Sequence, residues 1–276
     1  MESLIKCNFF LIMIALFPFL LPAQQNKKQP KMLLENTDAG GRAAMAIHIS
    51  EMPDQKFVLE IPEVFTLREV NGDLYNYAKQ NWKYDTKGAE LNYDDKKFQY
   101  SIKLKIVNTK KSIGLNWEMS CKNNTGSIMN DVAAFNCWTM NFAPLFKDTK
   151  MERTWVYDID GKKKSIKEVA KTQGPGRRTM QFYPAVGGVQ DLSKTGWIQQ
   201  WDVTSPETLS VRKVSIISTD GRWIFENWVN GEVAYFFNNW EEDHGCLHAS
   251  PLLAREIKPG ESAHASGTFQ FSRRKK

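Results

Sequence analysis

The chain has 276 residues, 42% of them apolar and 25% charged, with 37 Lys and Arg against 31 Asp and Glu for a net charge of +6. That balance excludes an intrinsically disordered polymer, and four cysteines in a chain this long exclude a disulfide-built scaffold. The basic excess is scattered in tails and loops (Lys27-Lys28, Lys110-Lys111, Lys162 to Lys164, Arg273 to Lys276), and no DNA- or RNA-binding signature accompanies it. A solvated surface with some attraction to acidic polysaccharide is the reading; nucleic acid is not a partner.

Residues 1–23 read as a secretory signal. Lys6 supplies the positive start, Phe9 to Leu21 is apolar apart from Pro18, and Pro22-Ala23 precedes polar Gln24-Gln25-Asn26. The run is too short to span a bilayer comfortably. The expectation is an exported protein, periplasmic or secreted, with no membrane span after signal removal. Cys7 leaves with the signal, so Cys121, Cys137 and Cys246 remain. Cys121 and Cys137 flank the turn-like Lys122-Asn-Asn-Thr-Gly126, where a disulfide or two free thiols both fit. Residues 24–40 carry no apolar period and read as a flexible leader.

From residue 41 the dominant signal is the short strand. Phe98 to Val107 alternates, with Tyr100, Ile102, Leu104 and Ile106 on one face and Lys103 and Lys105 on the other. Val211–Ile217, Trp223–Val229 and Val233–Phe237 behave similarly. Asn71-Gly72, Asp160-Gly161, Asp220-Gly221 and Asn230-Gly231 each separate strand-like runs, a hairpin signal. The clearest hairpin is Trp223 to Phe237, turning at Asn230-Gly231 and pairing Trp228 with Val233. Lys163 to Lys171 fits either a short surface helix or a strand. The whole predicts one all-β domain over 41–272, a large antiparallel β-sandwich with at most one or two short helices, closed by a basic tail at 273–276.

The run Glu241-Glu-Asp-His-Gly-Cys-Leu-His-Ala-Ser-Pro251 concentrates chemistry: three carboxylates, two of the four histidines and a cysteine. In an extended chain His244, Cys246 and His248 share a face. His248 and His244, tuned by Asp243 and Glu242, are candidate acid–base catalysts, because imidazole titrates near neutrality. The bland alternative is a turn-capping histidine and a buried core one. No cofactor is implied; the alternative is zinc or copper held by His244, Cys246 and His248. Trp240 and Trp201, each beside an acid, are candidate sugar-stacking rings, whereas Trp223 and Trp228 read as core. Arg177 and Arg178, on the turn Gly174-Pro-Gly-Arg-Arg178, and Tyr183 complete the candidate substrate-binding set. His48 and His264 read as structural or superficial.

The segments Leu104-Lys-Ile-Val-Asn-Thr-Lys-Lys-Ser112, Ala134 to Phe146, Cys246-Leu-His-Ala-Ser-Pro251 and Ile257-Lys-Pro-Gly-Glu261 together resemble the galactose mutarotase-like supersandwich proteins, over most of residues 95–272. The resemblance implies that fold, with Ser262–Phe271 as a closing strand after the Pro-Gly-Glu turn, and a carbohydrate-related function. The Asn-His strand motif of true sugar mutarotases has no counterpart in Val229 to Asn239, so the resemblance carries no catalytic assignment. Two functions follow. One is acid–base chemistry on a sugar, as in an epimerase, mutarotase or polysaccharide lyase. The other is non-catalytic glycan binding or a structural periplasmic sandwich.

Overall fold

The computed structural model describes residues 30–38, 44–68, 82–94, 96–172, 180–192, 195, 203–241 and 244–274. They form sixteen strands and one 3-10 turn, Ile166–Glu168. In chain order the strands are β1 (Met32–Asn36), β2 (Ala44–Ile49), β3 (Lys56–Thr66), β4 (Lys83–Asp85), β5 (Gly88–Asp94), β6 (Phe98–Asn108), β7 (Ser112–Asn123) and β8 (Met129–Thr139). There follow β9 (Thr154–Tyr157), β10 (Lys163–Ser165), β11 (Met180–Pro184), β12 (Lys213–Ile217), β13 (Trp223–Val229), β14 (Val233–Asn239), β15 (Cys246–Ile257) and β16 (Ser262–Arg273). A seven-stranded sheet runs β1-β2-β3-β8-β15-β14-β11, and a nine-stranded sheet runs β10-β9-β12-β13-β16-β7-β6-β5-β4. The named pairings in both are antiparallel. No helix among the described residues is long and apolar enough to cross a membrane.

The core lies between the sheets, where large rings from each interdigitate. Phe57 and Trp138 of the seven-stranded sheet meet Phe225, Phe269 and Phe271 of the other, with Phe57–Phe271 and Trp138–Phe225 centroids both 4.6 Å apart. The two sheets differ in what they show to solvent. In β6 the alternation Phe98, Tyr100, Ile102, Leu104 inward and Gln99, Lys103, Lys105 outward is visible residue by residue. In β8 and β14 nearly every residue is buried on both faces, whereas edge strand β1 of the same sheet exposes Leu33 and Glu35.

Three expectations change. The stretch Trp223 to Phe237 is no hairpin: β13 pairs with β12 and β16, whereas β14 pairs with β11 and β15, in the other sheet. A two-residue type I′ hairpin needs positive φ at both central residues, and neither Asn230 nor Gly231 adopts one. The chain instead crosses between sheets, tied by Asn230 N–H donating to Ser266 O at 2.9 Å. The Asp160-Gly161 and Asp220-Gly221 turns do close hairpins, with φ +76° and +69° at their glycines, and Asn71-Gly72 lies outside the described residues. Second, the stretch read as a leader contains β1, an edge strand anchored by buried Leu34 and paired with β2. Third, Lys163 to Lys171 divides between β10 and the 3-10 turn, whose Glu168 carboxylate accepts from Ser165 N–H at 2.7 Å. The strand after Pro259-Gly260-Glu261 forms as expected, but centrally, between β13 and β7.

Candidate functional site

Two places concentrate chemistry: a closed cluster on the outer face of the seven-stranded sheet, and a groove on the solvent face of the nine-stranded one.

The closed cluster is built on β15. That strand lies between β8 and β14, so its outward side chains are flanked on both sides. His248 pairs with Phe237 in register and is 0% exposed. Its ring packs 4.3 Å from Phe135 and 4.8 Å from Phe237, centroid to centroid. Phe182 and Tyr235 extend the aromatic patch. His248 Nδ1 lies 3.3 Å from the Phe237 carbonyl oxygen, to which an Nδ1–H donates. The other ring nitrogen, Nε2, is buried without a hydrogen-bond partner, 3.7 Å from Glu63 Oε2. Cys137 of β8 and Cys246 of β15 complete the group, with their sulfurs and a His248 nitrogen all within 4.8 Å of one another. Burial disfavours a charged His248, but the Cys137 sulfur and the Glu63 carboxylate outweigh it and push the imidazole up to about 9. The Cys137 thiol is held well above its ordinary value by its hydrogen bond with Cys246 and by burial.

This arrangement corrects several expectations. His244 precedes β15 and is exposed, so it does not share a face with His248. The third soft donor beside Cys246 and His248 is Cys137, not His244. His248 is closed to solvent rather than lining a cleft. Trp240 is 1% exposed and Tyr183 is 0% exposed, both packing residues. Tyr183 pairs with Phe236 on the inter-sheet side of β11, where burial raises its phenol far above the ordinary value. Cys121 and Cys137 stand in different sheets as free thiols, so no disulfide joins them. Glu242, Asp243, Trp201, Arg177 and Arg178 lie outside the described residues.

The groove was not anticipated. It encloses about 470 Å³ over β6, β7 and β16, with the Asn230–Glu232 crossover and Leu252 as one wall. Two neighbouring rungs of the sheet form its floor: Ser101, Ser120 and His264 in one, Lys103, Glu118 and Ser266 in the next. Asn230 reaches Ser266 Oγ with its side-chain amide at 3.1 Å. The following rung carries Trp228, Thr268, Asn116 and Lys105. Beyond Trp228 it continues through Lys213, whose ammonium lies 5.4 Å from the Trp228 ring centroid and 6.0 Å from that of Tyr157. Lys163 pairs with Tyr157 and sits 4.6 Å over the Trp155 ring. Hydroxyls, an amide, an imidazole, carboxylates and ammoniums therefore border an aromatic row on one continuous face. Trp228, read from sequence as core, is 39% exposed there.

No family model matches the chain, and no curated protein matches it significantly. Solved structures do. A galactose mutarotase-like protein from Clostridium acetobutylicum is 10% identical, with 90% of this chain and 100% of that one covered at a TM-score of 0.42. A galactose mutarotase related enzyme from Lactobacillus acidophilus is 10% identical, covering 88% of this chain and 97% of that one at a TM-score of 0.43.

Proposed function

We propose that this is an exported protein that recognises carbohydrate on the solvent face of its nine-stranded sheet, and binds it without turnover. The observation that carries the reading is the two-rung polar groove running directly into an exposed aromatic row. Sugars present hydroxyl groups in fixed directions around an apolar C–H face, so their recognition needs convergent hydrogen-bonding side chains beside a ring. Ser101, Ser120, Ser266, Asn230, Glu118 and His264 supply the first, and Trp228 the second. Lys103, Lys105 and Lys163 on the same face, with the overall charge of +6, favour uronate-bearing glycans over neutral ones.

Binding rather than chemistry is favoured because His248 is out of reach, and because His264 and Glu118 in the groove are not joined by a hydrogen bond or ion pair into an oriented acid–base pair. A proton-transfer group has to approach the substrate to hydrogen-bonding distance or act through one water, and a ring with 0% exposure sandwiched by phenylalanines does not. The test is to titrate the purified mature protein with polygalacturonate, alginate and a neutral β-glucan. Binding would be followed by affinity electrophoresis, anomer ratios by NMR and unsaturated uronate by ultraviolet absorbance. The expected result is retention by the acidic polymers with no product. Appearance of product would overturn the non-catalytic part, and no retention by any polymer would overturn the carbohydrate reading.

A further inference from the structure

The groove leaves the closed cluster unexplained. Nothing in packing alone requires two thiols, an imidazole and a carboxylate to converge beneath an aromatic patch. A core imidazole in such a place ordinarily has both nitrogens satisfied. Here the Phe237 carbonyl engages Nδ1 at 3.3 Å, whereas buried Nε2 has no partner within hydrogen-bond distance and only a long contact with Glu63 Oε2, 3.7 Å away. A backbone carbonyl on one ring nitrogen is the arrangement that fixes a metal-binding histidine in the tautomer offering the other.

We propose that Cys137, Cys246 and His248 form a zinc site, with Glu63 as the fourth donor. Two thiolates, one imidazole and one carboxylate match the ligand preferences of a borderline-soft ion that takes four donors in a closed tetrahedron. Zinc–sulfur bonds of about 2.3 Å and zinc–nitrogen bonds of about 2.0 Å place tetrahedral donors roughly 3.3–3.8 Å apart. The three soft donors already lie within 4.8 Å of one another, and Glu63 Oε2 lies 3.7 Å from His248 Nε2. Side-chain rotation accounts for the remaining contraction. Cys246 is only half-buried, which gives an ion access to a site whose other two soft donors are closed off. On binding, the two thiols and the imidazole each surrender any proton they hold on the donor atom to solvent, and the ion takes their place. Four protein donors leave no open position, so the role is structural: the ion would clip β8 to β15, and both to the irregular stretch of β3 that carries Glu63.

The experiment uses the full mature chain, reduced and freed of metal, titrated with cobalt(II) and then zinc(II). The expected result is one equivalent of cobalt per chain, with thiolate-to-cobalt charge-transfer bands whose intensity corresponds to two sulfurs. Zinc should bleach those bands and raise Tm. Cys137→Ser and Cys246→Ser should abolish stoichiometric uptake, whereas Cys121→Ser, in the other sheet, should leave it unchanged. If a serine variant does not fold, the wild-type band intensity still decides, because it counts sulfurs directly. Absence of stoichiometric uptake overturns the proposal. So does uptake without charge-transfer bands, selective binding of copper(I) with none of zinc, or a Cys137–Cys246 disulfide that forms in its place and leaves no metal uptake after reduction.

Discussion

Replacing Trp228 by Ala tests the proposed glycan face with a magnitude that the structure supplies. A tryptophan side chain offers about 250 Å² of surface. With 39% of the residue exposed, about 100 Å² is free for a ligand. At about 25 cal/mol per Å² that surface is worth at most about 2.5 kcal/mol. Ordering the ligand and sharing the ring with the Lys213 ammonium reduce the net value to about 1–2 kcal/mol. Isothermal titration with polygalacturonate should therefore show Kd rising roughly 5- to 30-fold in W228A. Because Trp228 points away from the inter-sheet core, the variant should stay folded and lose about 2–4 °C in Tm for each kcal/mol of lost cross-strand contact. Unchanged affinity in a folded variant would refute the reasoning, since no ligand lying along this row avoids the ring.

Two further outcomes test the fold that positions the face. Gly267→Ala should lower stability by about 1–3 kcal/mol, read by urea melts, because an added Cβ would collide with the Trp228 carbonyl oxygen and the Trp117 indole. A neutral result would mean that β16 does not run between β13 and β7 in this register. Gly231→Ala should be tolerated, having nothing within 4 Å of the new Cβ and no positive φ, whereas Gly161→Ala, at φ +76°, should cost about 1 kcal/mol. Equal losses at both glycines would restore the Asn230-Gly231 hairpin and contradict the crossover between sheets.

The contrast between those glycines shows where the sequence was legible. β6 was readable because Lys103 and Lys105 alternate with buried Ile102 and Leu104, a period that one solvated face imposes. β14 was readable as a strand but not in its pairing: Val233 to Phe237 is apolar on both faces, and an unbroken apolar run says nothing about which sheet it joins. Burial of the central strands on both faces also explains the reassignment of His248. A histidine among Cys246, Asp243 and Glu242 looks solvent-facing in the linear chain, yet β15 is a central strand whose outward side is roofed by Phe135 and Phe237. Cys137 could not be added to the cluster from sequence, because it stands 109 positions before Cys246 and only the β8–β15 register joins them. His264, which reads as structural or superficial, is exposed on β16. What was missing was that Ser120 and Ser101 continue its rung, a fact of register. A signal was present in Ser262 to Ser272, where His264, Ser266, Thr268 and Gln270 make one polar face, and in the matching polar face of β7 at Asn116, Glu118 and Ser120.

The most direct measurement is of the indole N–H resonances of the tryptophans in labelled protein, recorded as an acidic oligogalacturonate is added. The glycan-face account predicts movement of the Trp228 signal together with backbone amides of β7 and β16 around Glu118 and Ser266. The Trp240 indole, packed away beside Gly245, should stay still. Movement at Trp240 and along Cys246 to Ser250, with Trp228 unmoved, would place the ligand on the opposite sheet and contradict it.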